Sequence, residues 1–162
     1  MGLLAAVALF ASPVAASASE GTRVAIVNNN SGRCVSVPGD VVLAGARIDQ
    51  YDCGLYPDQY WYLNPSFTHS GWYYIQPAQD DTLCATYNSQ SGTNPVTLQS
   101  CGANAANGNF NTQLWTITGN GAIETAQGLA MGVAATSTDN NANIDTWPFG
   151  PYPDQFWSLT AE

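Results

Sequence analysis

Gln59-Tyr60-Trp61, Gln113-Leu114-Trp115 and Gln155-Phe156-Trp157 share one pattern: Gln, then Tyr, Leu or Phe, then Trp. An apolar residue stands two places beyond each Trp, at Leu63, Ile117 and Leu159. The motifs recur at intervals of 54 and 42 residues, so three copies of one unit account for residues 19–162. Self-similarity at such a period marks a repeat architecture.

Working outward, each unit opens on a segment of strand length, at Val24 to Val27, Tyr73 to Gln76 and Ala122 to Thr125. Next come Cys34-Val35-Ser36-Val37, Cys84-Ala85-Thr86-Tyr87 and Ala130-Met131-Gly132-Val133. A turn-rich stretch then leads to Ile48-Asp49-Gln50-Tyr51-Asp52-Cys53, Val96-Thr97-Leu98-Gln99-Ser100-Cys101 and Ile144-Asp145-Thr146-Trp147-Pro148-Phe149. Ala130 and Phe149 thus replace a cysteine pair in unit three, a small residue facing a large one. Unit two carries the insertion Gly102 to Asn111, rich in Asn, Ala and Gly, which reads as a solvent loop. Four short segments per unit, separated by Gly, Pro, Asn or Asp and without helical periodicity, predict twelve strands in a closed pseudo-threefold all-β barrel. The repeats span about 21–65, 66–118 and 119–162. In such a barrel Trp61, Trp115 and Trp157 enter the shared core, and Gln59, Gln113 and Gln155 hydrogen-bond the backbone of a turn in their own unit.

The ends and the charge bound the setting. An apolar run from Leu3 to Phe10, followed by Ala16-Ser17-Ala18, predicts a signal peptide over 1–18 and a secreted, extracellular protein. Four cysteines in an exported chain favour disulfides over metal, and the single His69 offers no ligand cluster. Their count alone permits three pairings, although the near-equal spacings of 19 and 17 suggest two copies of one local staple. Twelve acidic residues against three arginines and no lysine give a net charge of -9, which repels phosphate backbones and anionic lipid. Nucleic-acid binding and membrane insertion are therefore not expected.

Three Q-x-W motifs in step with two cysteine pairs resemble the ricin B-type β-trefoil lectins over Gly21 to Leu159. The resemblance implies a β-trefoil fold, the pairs Cys34 with Cys53 and Cys84 with Cys101, and carbohydrate binding at up to one shallow pocket per repeat. A pocket of that family combines an acidic residue two after the first cysteine, an aromatic platform two before the second, and a polar residue just before the Q-x-W glutamine. Here the platform position holds Tyr51, Gln99 and Trp147, and the polar position holds Asp58, Thr112 and Asp154. The acidic position holds Ser36, Thr86 and Gly132, so no unit keeps that carboxylate.

Sugar binding needs a flat apolar surface for the C–H face of a pyranose, flanked by polar groups that grip its hydroxyls. Residues two apart on a strand share a face, so Asp49 stands beside Tyr51, and Asp145 beside Trp147, as replacements for the missing acid. With Asp58 and Asp154 they form the expected carbohydrate-binding residues of units one and three, while Gln99 leaves unit two without a platform. The plainer reading makes these aspartates solvated surface charges and the rings a lid on the hydrophobic layer beneath. Tyr56-Pro57-Asp58 and Tyr152-Pro153-Asp154 read first as turns, with each Tyr a candidate second wall. Catalysis, a cofactor or a metal site is not expected. His69 sits in a linker, Asp80-Asp81-Thr82 reads as a turn, and the Asp49 and Asp58 pair recurs in unit three as repeated pockets would. The expected function is a secreted, non-enzymatic lectin. The alternatives are a trefoil that lost sugar binding and serves as an interaction module or protease inhibitor through Gly102 to Asn111, and a targeting module beside a separate enzyme.

Overall fold

The computed structural model describes residues 21–87, 92–102 and 112–161. The expected signal segment and the insertion beyond Gly102 lie outside the described residues. Unit one contributes β1 (Thr22–Asn28), β2 (Cys34–Ser36), β3 (Asp49–Tyr51) and β4 (Tyr60–Pro65). Unit two contributes β5 (Trp72–Pro77), β6 (Leu83–Thr86), β7 (Gly92–Pro95), β8 (Thr97–Ser100) and β9 (Trp115–Ile117). Unit three contributes β10 (Ile123–Glu124), β11 (Leu129–Val133), β12 (Ala142–Pro148) and β13 (Trp157–Ala161). The twelve expected strands are present, four per unit, and β7 is an additional strand paired with β12.

The first and last strands of each unit form an antiparallel barrel. Around it β1 pairs with β4, β4 with β5, β5 with β9 and β9 with β10. An Ala122–Phe156 bridge and the β13–β1 ladder close the ring, which leaves the barrel without a free edge. Ile26, Ile75 and Ile123 line its interior, each 1% exposed or less. The third opening segment sits one residue off the simple sequence alignment, because Gly121, rather than Ala122, lies against Trp157. Only glycine fits there: its φ is +89°, and a Cβ would fall 2.6 Å from the Trp157 carbonyl oxygen.

The inner strands form the hairpins β2–β3, β6–β8 and β11–β12, which cap one end of the barrel. They meet in a cyclic triad of backbone hydrogen bonds: Ile48 donates to Val96 at 3.0 Å, Val96 to Ile144 at 2.8 Å, and Ile144 to Ile48 at 2.9 Å. All three residues are buried, so the ring satisfies groups that water cannot reach. Trp61, Trp115 and Trp157 are at most 3% exposed, and their indole N–H groups donate to the carbonyls of Val35, Ala85 and Met131, each at 3.0 Å. Each unit therefore repeats one tie between its last barrel strand and its own hairpin.

Disulfides join Cys34 to Cys53 and Cys84 to Cys101, with Cα atoms 5.0 Å apart in both. In unit three Ala130 is buried opposite Trp147, and Phe149 makes its ring contact with Phe156, centroids 6.0 Å apart. Asp80 caps the Asp80-Asp81-Thr82 turn by accepting from the Thr82 N–H and hydroxyl. No helix among the described residues is long and apolar enough to cross a membrane.

Candidate functional site

The Q-x-W glutamines build the turns that hold the candidate pockets. Gln59 accepts from Gly54 N at 2.8 Å and donates to the Asp52 carbonyl at 2.9 Å. Gln155 repeats this with Gly150 and Pro148, and Gln113 with Gly102 and Ser100. Each glutamine is 1% exposed or less, so these side chains are architectural.

In units one and three a single 3-10 turn, Pro57–Gln59 or Pro153–Gln155, precedes the Trp strand. Proline at the start sets φ for the turn and lacks the N–H that the turn would leave unpaired. Asp58 and Asp154 sit inside these turns, and their carboxylates accept the backbone N–H of Val37 at 3.0 Å and Val133 at 2.9 Å. Glycine two residues before each Tyr lets the ring lie on the backbone. A Cβ at Gly54 would fall 2.6 Å from the Tyr56 ring, and one at Gly150 2.8 Å from the Tyr152 ring.

The strand register decides where the remaining carboxylates stand. Asp49 pairs directly across the ladder with Ser36, and Asp145 with Gly132. A carboxylate on the facing strand thus stands across from positions 36 and 132, since directly opposed side chains lie about 5 Å apart. In unit one the Ser36 hydroxyl donates to Asp49 at 2.5 Å. In unit three the absence of a side chain at Gly132 leaves room for acid, because a Cβ there would sit 2.7 Å from the Asp154 carboxylate. The four aspartates are no solvated surface charges: Asp49, Asp58, Asp145 and Asp154 are 1%, 7%, 6% and 5% exposed. The platforms are open, with Tyr51 38% and Trp147 42% exposed.

These groups converge on two concavities. That of unit one, about 400 Å³, is lined by Tyr51, Tyr56, Asp49, Asp58 and Ser36, and also by Asp40 and Asn141, which the motif pattern did not single out. That of unit three, about 190 Å³, is lined by Trp147, Tyr152, Asp145, Asp154 and Thr136 among others. Tyr51 and Tyr56 stand edge to face at 6.2 Å. The signal for the second walls was the shared Gly-x-Tyr-Pro-Asp sequence at 54–58 and 150–154. Unit two places Thr97 opposite Thr86 and Gln99 at the platform position, and the Thr112 carbonyl takes the Tyr87 N–H that a carboxylate takes elsewhere. It has neither ring nor acid at these positions.

Burial pushes the Asp145 carboxyl up to about 6, with the neighbouring Asp154 charge adding to the rise. Burial also raises Asp49, against the Ser36 hydrogen bond and Arg47, and raises Asp58 against the Val37 N–H. Between the ordinary carboxyl value near 4 and about 6, the folded state therefore holds more protons at Asp145 than the unfolded chain does. Its contribution is complete below that window and is lost as the pH rises through about 6. Asp145→Asn should accordingly raise the thermal midpoint at pH 8 and flatten its decline between pH 4 and pH 7, read by circular dichroism melts across that range. A variant no more stable than wild type at pH 8 would contradict the desolvated carboxyl.

Two sequence families match. A model described as ricin-type beta-trefoil lectin domain covers residues 71–162, and one described as ricin-type beta-trefoil lectin domain-like covers 14–100. The structure is similar to the designed threefold-symmetric protein ThreeFoil, with a TM-score of 0.70 and 21% identity over 86% of this chain and 99% of that one. It is similar to the C-half of the earthworm R-type lectin, solved in complex with GalNAc, with a TM-score of 0.68 and 18% identity over 87% of this chain and 99% of that one. The agglutinin of Rhizoctonia solani gives a TM-score of 0.70 and 16% identity over 96% of this chain and all of that one. No curated protein matches the sequence.

Proposed function

The chain belongs to the ricin-type β-trefoil lectin family, and from that premise we propose that it is a secreted, non-enzymatic protein that holds glycans in the pockets of units one and three. The observation that carries the reading is a duplicated arrangement: an open ring, a second ring on a glycine turn, and two buried carboxylates beside them. A pyranose laid on Tyr51 or Trp147 buries its apolar face on the ring and turns its hydroxyls, as donors, toward carboxylate acceptors. In the pockets the polar groups are few and fixed, which suits orientation of a ligand rather than turnover. The apolar leader at 3–10 and the two disulfides support export.

The charge narrows the ligand. No Lys, Arg or His lines either pocket among the described residues. Arg23 stacks 4.2 Å over the Tyr60 ring, Arg33 pairs with Asp52, and Arg47 donates to Asn143 at 2.8 Å. With a net charge of -9, the protein favours neutral over sulfated or sialylated glycans.

Calorimetry of neutral oligosaccharides tests this on wild type and on the double variant Tyr51→Ala and Trp147→Ala. The expected result is weak binding per site, about millimolar to tens of micromolar, lost in the variant while its melting curve stays close to wild type. A polysaccharide presenting many copies should be held more tightly than its free unit, because two sites on one rigid barrel bind by avidity. Equal null isotherms for both proteins across a broad neutral panel would overturn the reading in favour of a protein-interaction module.

A further inference from the structure

We propose that the unit-one pocket is a composite site, completed by Asp40 and Asn141 at contacts with units two and three, and that it takes a glycan of two or more residues where the unit-three pocket takes one. The inference rests on the carbohydrate-binding reading and names the ligand length at one of its two sites. The unit-one cavity has about twice the volume of its counterpart, about 400 Å³ against about 190 Å³. The wall of the unit-one pocket reaches Asn141 of unit three.

Asn141 is fixed there by a docked loop. Gln50 donates to the carbonyls of Ser137 at 3.0 Å and Asp139 at 2.9 Å, and Arg33 donates to that of Thr138 at 2.6 Å. Asn140 exchanges hydrogen bonds with Asp52, accepting its N–H at 2.9 Å and donating to its carboxylate at 3.0 Å. Asn141 then donates its own N–H to the Gln50 carbonyl at 2.8 Å, and Ala142 and Asn143 pair with Gln50 and Asp49 of β3. Its backbone is left-handed, φ 64°, a conformation asparagine adopts more readily than most residues.

Asp40 forms another part of the wall. It is likewise left-handed, φ 58°, and the Gln79 amide of unit two donates to its carboxylate at 2.5 Å. The equivalent residue at the unit-three pocket is Thr136, which offers no carboxylate. With one ring on Tyr51 beside Asp49 and Asp58, Asp40 and Asn141 supply a carboxylate and an amide for the hydroxyls of the next. The Asp40 carboxylate is held by Gln79 of unit two and the Asn141 backbone by Gln50 of unit one, so a second residue meets a wall that is already in place, which favours its capture.

The test isolates each site and varies ligand length. Trp147→Ala leaves the unit-one pocket and Tyr51→Ala leaves the unit-three pocket, and calorimetry then compares gluco-, xylo-, galacto- and chito-oligosaccharides of one to four residues. Affinity should rise about three- to tenfold from one residue to two or three in the Trp147→Ala protein and stay flat in the Tyr51→Ala protein. Asn141→Gly and Asp40→Asn, which tolerate the left-handed backbone, should remove that gain. The same length dependence at both sites, or a gain that survives both substitutions, overturns the composite site while leaving the lectin reading intact. Wild type that binds no saccharide of the panel overturns both.

Discussion

Trp115→Ala lowers the free energy of unfolding by about 3–5 kcal/mol, and Trp61→Ala and Trp157→Ala do the same, because each removes a buried indole from a shared core. The three side chains are at most 3% exposed. Tyr87 packs edge to face on Trp115 with ring centroids 5.0 Å apart, so truncation empties space that a neighbouring ring cannot fill without leaving its own partner, Gln127. The change also strips the N–H donor from a buried carbonyl at Val35, Ala85 or Met131, which adds to the cavity cost. Trp→Phe at the same positions keeps most of the apolar volume and should cost less. Urea melts followed by circular dichroism provide the measurement. One nearly neutral variant among the three would contradict the threefold equivalence of the core.

Removing either disulfide, by Cys34→Ala with Cys53→Ala or by Cys84→Ala with Cys101→Ala, should cost about 3 kcal/mol, since each closes a loop of similar length. The staples occur on the shorter hairpins. The β2–β3 ladder has three residue pairs and β6–β8 four, whereas β11–β12, which has no disulfide, has five. Unit three thus obtains from pairing what the other two obtain from a covalent link. Reduction of the native protein should lower the thermal midpoint by the combined effect of both losses. It should also weaken the sugar binding proposed at Tyr51, which lies two residues from Cys53, more than that proposed at Trp147. A midpoint unchanged by full reduction, verified by thiol titration, would contradict this.

The fold was legible because its repeating parts act close along the chain. Each Q-x-W glutamine reaches a turn within its own unit, and each Trp ties to a carbonyl about thirty or fewer residues upstream. Such a device must recur once per unit, so the sequence carries it as a period. The same holds for the Gly-x-Tyr-Pro-Asp turns and for the absence of ring and acid in unit two. Tertiary structure decided the rest. Alternation along one strand already set Asp49 beside Tyr51 and Asp145 beside Trp147, but only the ladder sets them opposite Ser36 and Gly132, a register that alternation does not specify. Their burial, and with it the raised carboxyl of Asp145, follows from three hairpins packing around one axis, which no single unit contains. Asn141 meets Gln50 across 91 positions of sequence, and Asp40 meets Gln79 across 39. Those contacts join different units, and a pattern local to one unit holds no record of what its neighbours bring.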